Sequence, residues 1–259
     1  MQIIIPMTGY GSRFVAAGYK DLKPFIKVQG RQIIEWIVKG MYSTNDHFVF
    51  VCRQEHLDSI SGMREYLLSL APDCEIFSID KWVKKGPVFD VLRAGSVIKD
   101  DEPAIINYCD FYMVWDWNKF KHDVVERGCE GCVPCYTGFH PNLLPAKNFY
   151  ASCLTDVEDN LIEIREKFSF EEDKTKAKHS PGTYYFKSGA ILKKYCQILV
   201  DSEQSINGEY YASLPYNFMV KDGLKVWIPT NVDYFCQWGT PEDMRDYEFW
   251  TEVCRRFER

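Results

Sequence analysis

The segment PMTGYGSRFVAAGYKDLKPF (6–25) sets Gly9 and Gly11 directly behind a short apolar run and follows them with Arg13 and Lys23. Glycine lets backbone N–H groups approach an anion closely, and arginine and lysine then neutralise a polyphosphate. The same residues also read as a turn with two solvated cations, because a lone G-x-G is common after strands. Two more specific phosphate loops are disfavoured. Phe14 stands where a dinucleotide fingerprint needs its third glycine, and no G-K-[ST] follows.

A second constellation is C-x-x-C-x-x-C at Cys129, Cys132 and Cys135, a spacing that elsewhere holds zinc or an iron–sulfur cluster. No fourth ligand lies nearby. GCVPCY reads as a strand, on which positions three apart point to opposite faces, so buried thiols are the expected state. His140 and His179 are isolated and receive no role.

The elements that position these residues follow from periodicity. QIIIP (2–6), HFVFVC (47–52), CEIFSI (74–79) and PAIINY (103–108) are strand candidates separated by helix-like stretches. RQIIEWIVKGM places Ile33, Ile34, Ile37, Val38 and Met41 at helical spacing. Such alternation predicts an α/β fold with a mixed, mainly parallel sheet and helices on both faces. After about residue 128 come closely spaced strand candidates, CVPCYTGF, NFYASCL, NLIEIREKF and GTYYF, then helical stretches near 188–201 and 209–221. Thr240-Pro241-Glu242-Asp243 starts a last helix, with Tyr247, Trp250, Val253, Cys254 and Phe257 on one face. That stripe serves a core or an interface alike, so homo-oligomerisation stays open. EEDKTKAKHSPG (171–182) is the one polar stretch long enough for a mobile loop, a lid if it closes over a site. We expect one domain over 1–259, in two halves, 1–128 and 129–259.

With 259 residues, 46% of them apolar, the chain can bury a full core. A formal charge of -6 gives no broad basic field, which argues against a nucleic-acid partner. No stretch approaches the roughly 20 apolar residues of a membrane span and no basic leader opens the chain, so a cytoplasmic protein without a membrane partner is expected.

Several segments recur together in order: GYGSRF with Lys23-Pro24, KGPVFDVLRA (85–94), IINYCDFYMVWDW (105–117), NLIEIREKF (160–168), SPGTYYF (180–186) and QWGTPEDM (237–244). In this order they resemble the sugar-phosphate nucleotidyltransferases, which have a GT-A-like Rossmann fold. The likeness covers nearly the whole chain. It is nearest to a branch found with capsule and surface-polysaccharide genes that includes the CTP:phosphoglutamine cytidylyltransferases.

The resemblance implies a magnesium-dependent reaction of an NTP, CTP foremost, with a phosphorylated small molecule, releasing pyrophosphate. It implies that Gly9, Tyr10, Gly11, Ser12 and Arg13 hold the triphosphate, that Lys23 bridges phosphates in the transition state, and that Lys85 and Gly86, behind Lys84, run past the base. It further implies that Asp110 holds Mg2+, that Lys167 meets the acceptor phosphate, and that Glu166 and Gly182 line the acceptor side. Asp110 falls at a strand end, the side where parallel sheets bind ligands, although a turn aspartate there is also ordinary. Two features depart from the pattern. Gln237 stands where the family has a second metal-binding aspartate, leaving either Asp110 with phosphates and water or a substitute such as Asp233. Glu166 and Lys167 are strand neighbours, which share a pocket only if the strand ends or bends near Phe168.

Two other readings remain at this point. A nucleotide-sugar glycosyltransferase expects D-x-D, whereas Asp110 is followed by Phe111 and Tyr112. A non-catalytic nucleotide sensor finds its best support in Gln237.

Overall fold

The computed structural model describes residues 1–257. The first half runs β1 (Gln2–Pro6), α1 (Ser12–Ala16), β2 (Lys27–Val28), β3 (Arg31–Gln32), α2 (Ile33–Met41), β4 (His47–Arg53), α3 (Gln54–Ser59), α4 (Met63–Leu70) and β5 (Glu75–Ile79). It continues through α5 (Pro87–Arg93), β6 (Ala104–Asn107), β7 (Phe111–Val114) and α6 (Trp117–Arg127). The second half holds β8 (Gly131–Cys132), β9 (Ser152–Thr155), β10 (Leu161–Arg165), β11 (Lys178–His179), β12 (Thr183–Phe186), α7 (Gly189–Asp201), α8 (Pro215–Lys221), β13 (Val226–Trp227), β14 (Tyr234–Gln237) and α9 (Pro241–Phe257).

Seven strands form one sheet in the order β13-β8-β12-β6-β1-β4-β5. β6, β1, β4 and β5 are parallel, and β12 is inserted antiparallel between β6 and β8. A strand covered on both faces must be apolar throughout rather than alternating, and β1 is buried at all five positions. Its side chains divide between two cores, Ile3 and Ile5 on one face and Ile4 on the other. The first face is covered by α2, whose Ile33, Ile34, Ile37, Val38 and Met41 are all buried as their spacing requires. The second is covered by α5, α7 and α8.

Cys132 lies in the first core and Cys135 in the second, beside Cys153, so the C-x-x-C-x-x-C thiols do straddle the sheet. Two expectations need correction. Within 171–182 only 171–173 and Lys176 are exposed: Lys174 donates to the carbonyls of Leu143 and Ala146, and β11 pairs with β9, so most of the segment is built into the molecule. The helix expected from 209 starts only at Pro215, because Glu209 to Ser213 make side-chain contacts across the site instead. On α9 only Pro241 and Met244 are buried, and Trp250 and Phe257 face solvent.

Candidate active site

β6 stops at Asn107 and β7 begins at Phe111, and Asp110 sits in the break at the carboxyl end of the parallel strands. Its backbone carbonyl accepts from Trp238 N–H (3.0 Å), which ties the turn to the end of β14. Two cavities open on this point, of about 510 Å3 and about 430 Å3. Arg13, Tyr108, Asp110, Tyr211 and Gly239 line both.

The larger cavity is walled by the Gly9–Arg13 loop, Lys23, Lys84, Gly86 and Trp82. Buried Phe14 and Phe25 anchor the loop and the tight turn after Lys23, bringing the two together. Gly11 has φ +60°, a left-handed conformation that favours glycine, while a Cβ there would make only an ordinary 3.4 Å contact with the Lys23 Cβ. Lys23 Nζ reaches Asp110 Oδ2 at 2.8 Å. Arg13 is exposed and has no acidic partner among the described residues. Lys84 faces the cavity and pairs with Glu209 (2.7 Å). Lys85, expected at the nucleotide, lies instead over the Phe89 ring outside that lining, because successive residues of the extended approach to α5 point apart. Gly86 lines the cavity, but its φ of +90° and the 2.6 Å from a built Cβ to Tyr210 N show that the Tyr210 backbone excludes a side chain there.

The smaller cavity holds Glu166, Lys167 and Gly182, with Asn142, Tyr150, Gln237, Thr240 and Asp243 around them. β10 ends at Arg165 and Lys167 turns left-handed (φ +55°), which is the bend that lets neighbouring side chains serve one pocket. Lys167 Nζ donates to the Tyr211 hydroxyl (3.0 Å), which is 3.3 Å from Glu209 Oε2. A chain of polar contacts, Lys84–Glu209–Tyr211–Lys167, therefore runs from one cavity to the other.

Burial pushes the Glu166 carboxyl up to about 7, against the lowering effect of the hydrogen bond from the Ser213 hydroxyl. A raised folded-state value means the unfolded chain loses this proton first, so stability falls as pH rises from about 4.5 to about 7 and is level above that. Glu166→Gln is expected to flatten the fall in Tm across this window in differential scanning fluorimetry. Identical slopes for the two proteins would place the titrating group elsewhere.

Trp82, Asp90, Glu209 and Tyr211 are cavity residues that the sequence alone did not single out. Asp90 is buried, accepts from Trp82 Nε1 (3.0 Å) and from the Thr8 hydroxyl, and burial raises its carboxyl above the usual range. An acid between the buried Val88 and Val91 was the available signal.

A Cβ on Gly239 would stand 2.5 Å from Gln237 Nε2 and 3.5 Å from Asp110 Oδ2, so the bare glycine leaves both side chains over one spot. The Gln237 atom at this spot is Nε2, a donor, so a magnesium ion there would rest on the Asp110 carboxylate with phosphate and water ligands, and the Gln237 oxygen would join them only with the side-chain amide turned over. Asp233 is not a substitute for the second aspartate. Its N–H donates to Val114 O at the far end of the β7–β14 ladder, roughly 13 Å from Gln237 at ~3.3 Å per residue. Among the described residues the sole cluster of three metal-ligating groups is His122, Asp123 and Glu126 on α6, the first and last of them exposed, and none lines either cavity.

Comparisons with protein-family models and with curated proteins found no match. Solved structures do match over nearly the full length. A nucleoside-diphosphate-sugar pyrophosphorylase from Vibrio cholerae RC9 is 19% identical with a TM-score of 0.75, over 95% of this chain and 99% of its own. A UDP-glucose pyrophosphorylase in its apo form is 13% identical with a TM-score of 0.74, over 98% of both chains. An inositol-1-phosphate CTP transferase from T. maritima is 14% identical with a TM-score of 0.69, over 97% of this chain and 95% of its own. At these identities the likeness establishes the fold: a mixed, mainly parallel sheet flanked by helices, as in those nucleotidyltransferases. No described helix is long and apolar enough to cross a membrane.

Proposed function

We propose that the chain is a magnesium-dependent nucleotidyltransferase that joins the NMP of an NTP, CTP foremost, to a phosphorylated small molecule and releases pyrophosphate. The observation that carries this reading is the meeting of two cavities at Asp110, one edged by the Gly9–Arg13 loop and Lys23, the other by Lys167. The solved structures support it by what their own names describe, a UDP-glucose pyrophosphorylase and an inositol-1-phosphate CTP transferase. The capsule or surface-polysaccharide role and the cytoplasmic setting rest on the sequence resemblance.

In this reading the larger cavity takes the nucleotide and the smaller the acceptor, although Glu209 and Tyr211 from the second half of the chain help to wall the first. Lys167 holds the acceptor phosphate so that one of its oxygens faces the α-phosphorus. That oxygen forms the new P–O bond as the bond to the β-phosphate breaks, and Arg13 holds the departing pyrophosphate. Lys23 leaves Asp110 for the α-phosphate, adding positive charge where the transition state gathers negative charge. Magnesium, held by Asp110 with the Gln237 amide beside it, would supply further charge neutralisation at the phosphates. No covalent nucleophile is required, since the protein's part is position and charge.

A nucleotide sensor is the second reading, favoured by Gln237 alone. Pyrophosphate release is to be measured with CTP, UTP, dTTP, ATP and GTP against phosphorylated sugars, polyols and phosphoglutamine. Magnesium-dependent release from one pair is the expected result. NTP binding without turnover across the panel would replace the enzyme with the sensor.

A further inference from the structure

Asp90 is an acid taken almost wholly out of water, 2% exposed, in the wall of the larger cavity. Two donors meet it there, Trp82 Nε1–H at 3.0 Å and the Thr8 hydroxyl. A carboxylate has about four lone-pair sites, so about two stay open. The Trp82 side chain has no second N–H, and Thr8 spends its one hydroxyl proton on Asp90. What these three buried groups turn toward the cavity is therefore acceptor capacity alone.

Their place in the cavity is where a nucleobase would lie. Thr8, Tyr10, Trp82 and Asp90 line the larger cavity only, whereas Arg13 and Asp110 line both. With the phosphates at the shared junction, the nucleoside extends toward Asp90. Flat aromatic surface suits a base there: the Tyr10 and Trp82 rings meet edge-on, 5.0 Å between centroids. The Arg53 guanidinium braces both rings, 4.1 Å and 5.0 Å from their centroids, and is not itself in the lining. Arg53 is held in turn by Glu55 and by His56, which burial and the Arg53 charge push down to about 4 and so leave neutral to accept.

Nucleobases differ in the group they carry at one corner of the ring. Cytosine and adenine have an exocyclic amino group there, a donor, and uracil, thymine and guanine have a carbonyl oxygen, an acceptor. We propose that Asp90, held by Trp82 and Thr8, selects the nucleotide: its carboxylate accepts from the amino group of cytosine or adenine and faces the carbonyl of uracil, thymine or guanine with no proton between the two oxygens. This selection presupposes that the larger cavity is the nucleotide site, and it adds the class of base and the residue that reads it. A buried acceptor left without a donor is the costly case, so discrimination comes from rejection as much as from attraction.

Isothermal titration of the full chain with CTP, UTP, dTTP, ATP and GTP, with magnesium and no acceptor, tests the base apart from the reaction. The expected result is that CTP binds about 30-fold more tightly than UTP, or ATP than GTP. On the parent protein the triphosphates of 2-pyrimidinone riboside and purine riboside, which carry hydrogen in place of the amino group, should bind about tenfold more weakly than CTP and ATP, a comparison that needs no variant. Asp90→Asn keeps an oxygen for the Trp82 N–H and can turn its amide N–H toward the base, so the same ratios should fall to within about threefold. Failure of every triphosphate to bind would remove the nucleotide site and this selection with it. Binding that does not distinguish amino from carbonyl bases, or a preference that survives both Asp90→Asn and loss of the amino group, overturns the role of Asp90 and leaves the nucleotide site standing.

Discussion

Asp110→Asn is expected to lower pyrophosphate release by about 10^3-fold or more with the NTP and acceptor in excess, while shifting Tm by no more than a degree or two. The change keeps the side chain's shape and leaves the backbone carbonyl free to accept from Trp238, so the break between β6 and β7 is undisturbed. The lost Lys23–Asp110 pair is part-exposed, at 18% and 31%, and pairs of that kind contribute little to stability. What is lost is charge at the one carboxylate that both cavities share. A magnesium ion there would keep only neutral protein oxygens, and Lys23 would stand beside it without its partner. The check is a steady-state pyrophosphate assay of both proteins across magnesium concentrations, with Tm measured in parallel. Retention of activity within tenfold would remove Asp110 from the reaction and turn attention to Asp243 and Glu166 in the smaller cavity.

What the sequence disclosed, and what it withheld, divides along physical lines. β1 and α2 were legible because burial imposes a local rule, a continuous apolar run for a strand covered on both faces and a 3.6-residue stripe for a helix. The position of Asp110 was legible for the same reason, as the end of an apolar run. The Cys132/Cys135 reading followed from the two-residue period of strands and holds in the two cores. Glu209 and Tyr211 were not legible: they stand on an irregular segment with no period, and their place in the site comes from contacts to Lys84 and Lys167, 125 and 44 positions away. Lys84 and Lys85 differ only in which way an extended chain points, a register that a tertiary contact, here the Tyr210 backbone on Gly86, decides. Asp233 shows the converse error. It is four residues from Gln237 in sequence, but on an extended strand those residues span most of the ladder. The stripe on α9 was read correctly as a pattern, and only exposure could say that the chain's own core does not cover it.

Lys167→Met is expected to reduce kcat/KM for the acceptor by about 100-fold, the worth of a lost charge-assisted hydrogen bond of up to ~3 kcal/mol, while leaving KM for the NTP within about twofold. The asymmetry follows from position. Lys167 lines only the smaller cavity, and its Nζ is directed by Tyr211, which spans both. Backbone and side chain can be separated here because Lys167 is held left-handed, a conformation that costs a non-glycine residue about 1 kcal/mol or more. Lys167→Gly should therefore match or exceed the parent in Tm while losing as much acceptor kcat/KM as Lys167→Met. If the glycine variant kept its activity, the bend rather than the ammonium would be the functional element. If both variants raised KM for nucleotide and acceptor alike, Lys167 would act with Arg13 at the junction of the cavities, and the division into a nucleotide side and an acceptor side would have to be redrawn around Tyr211.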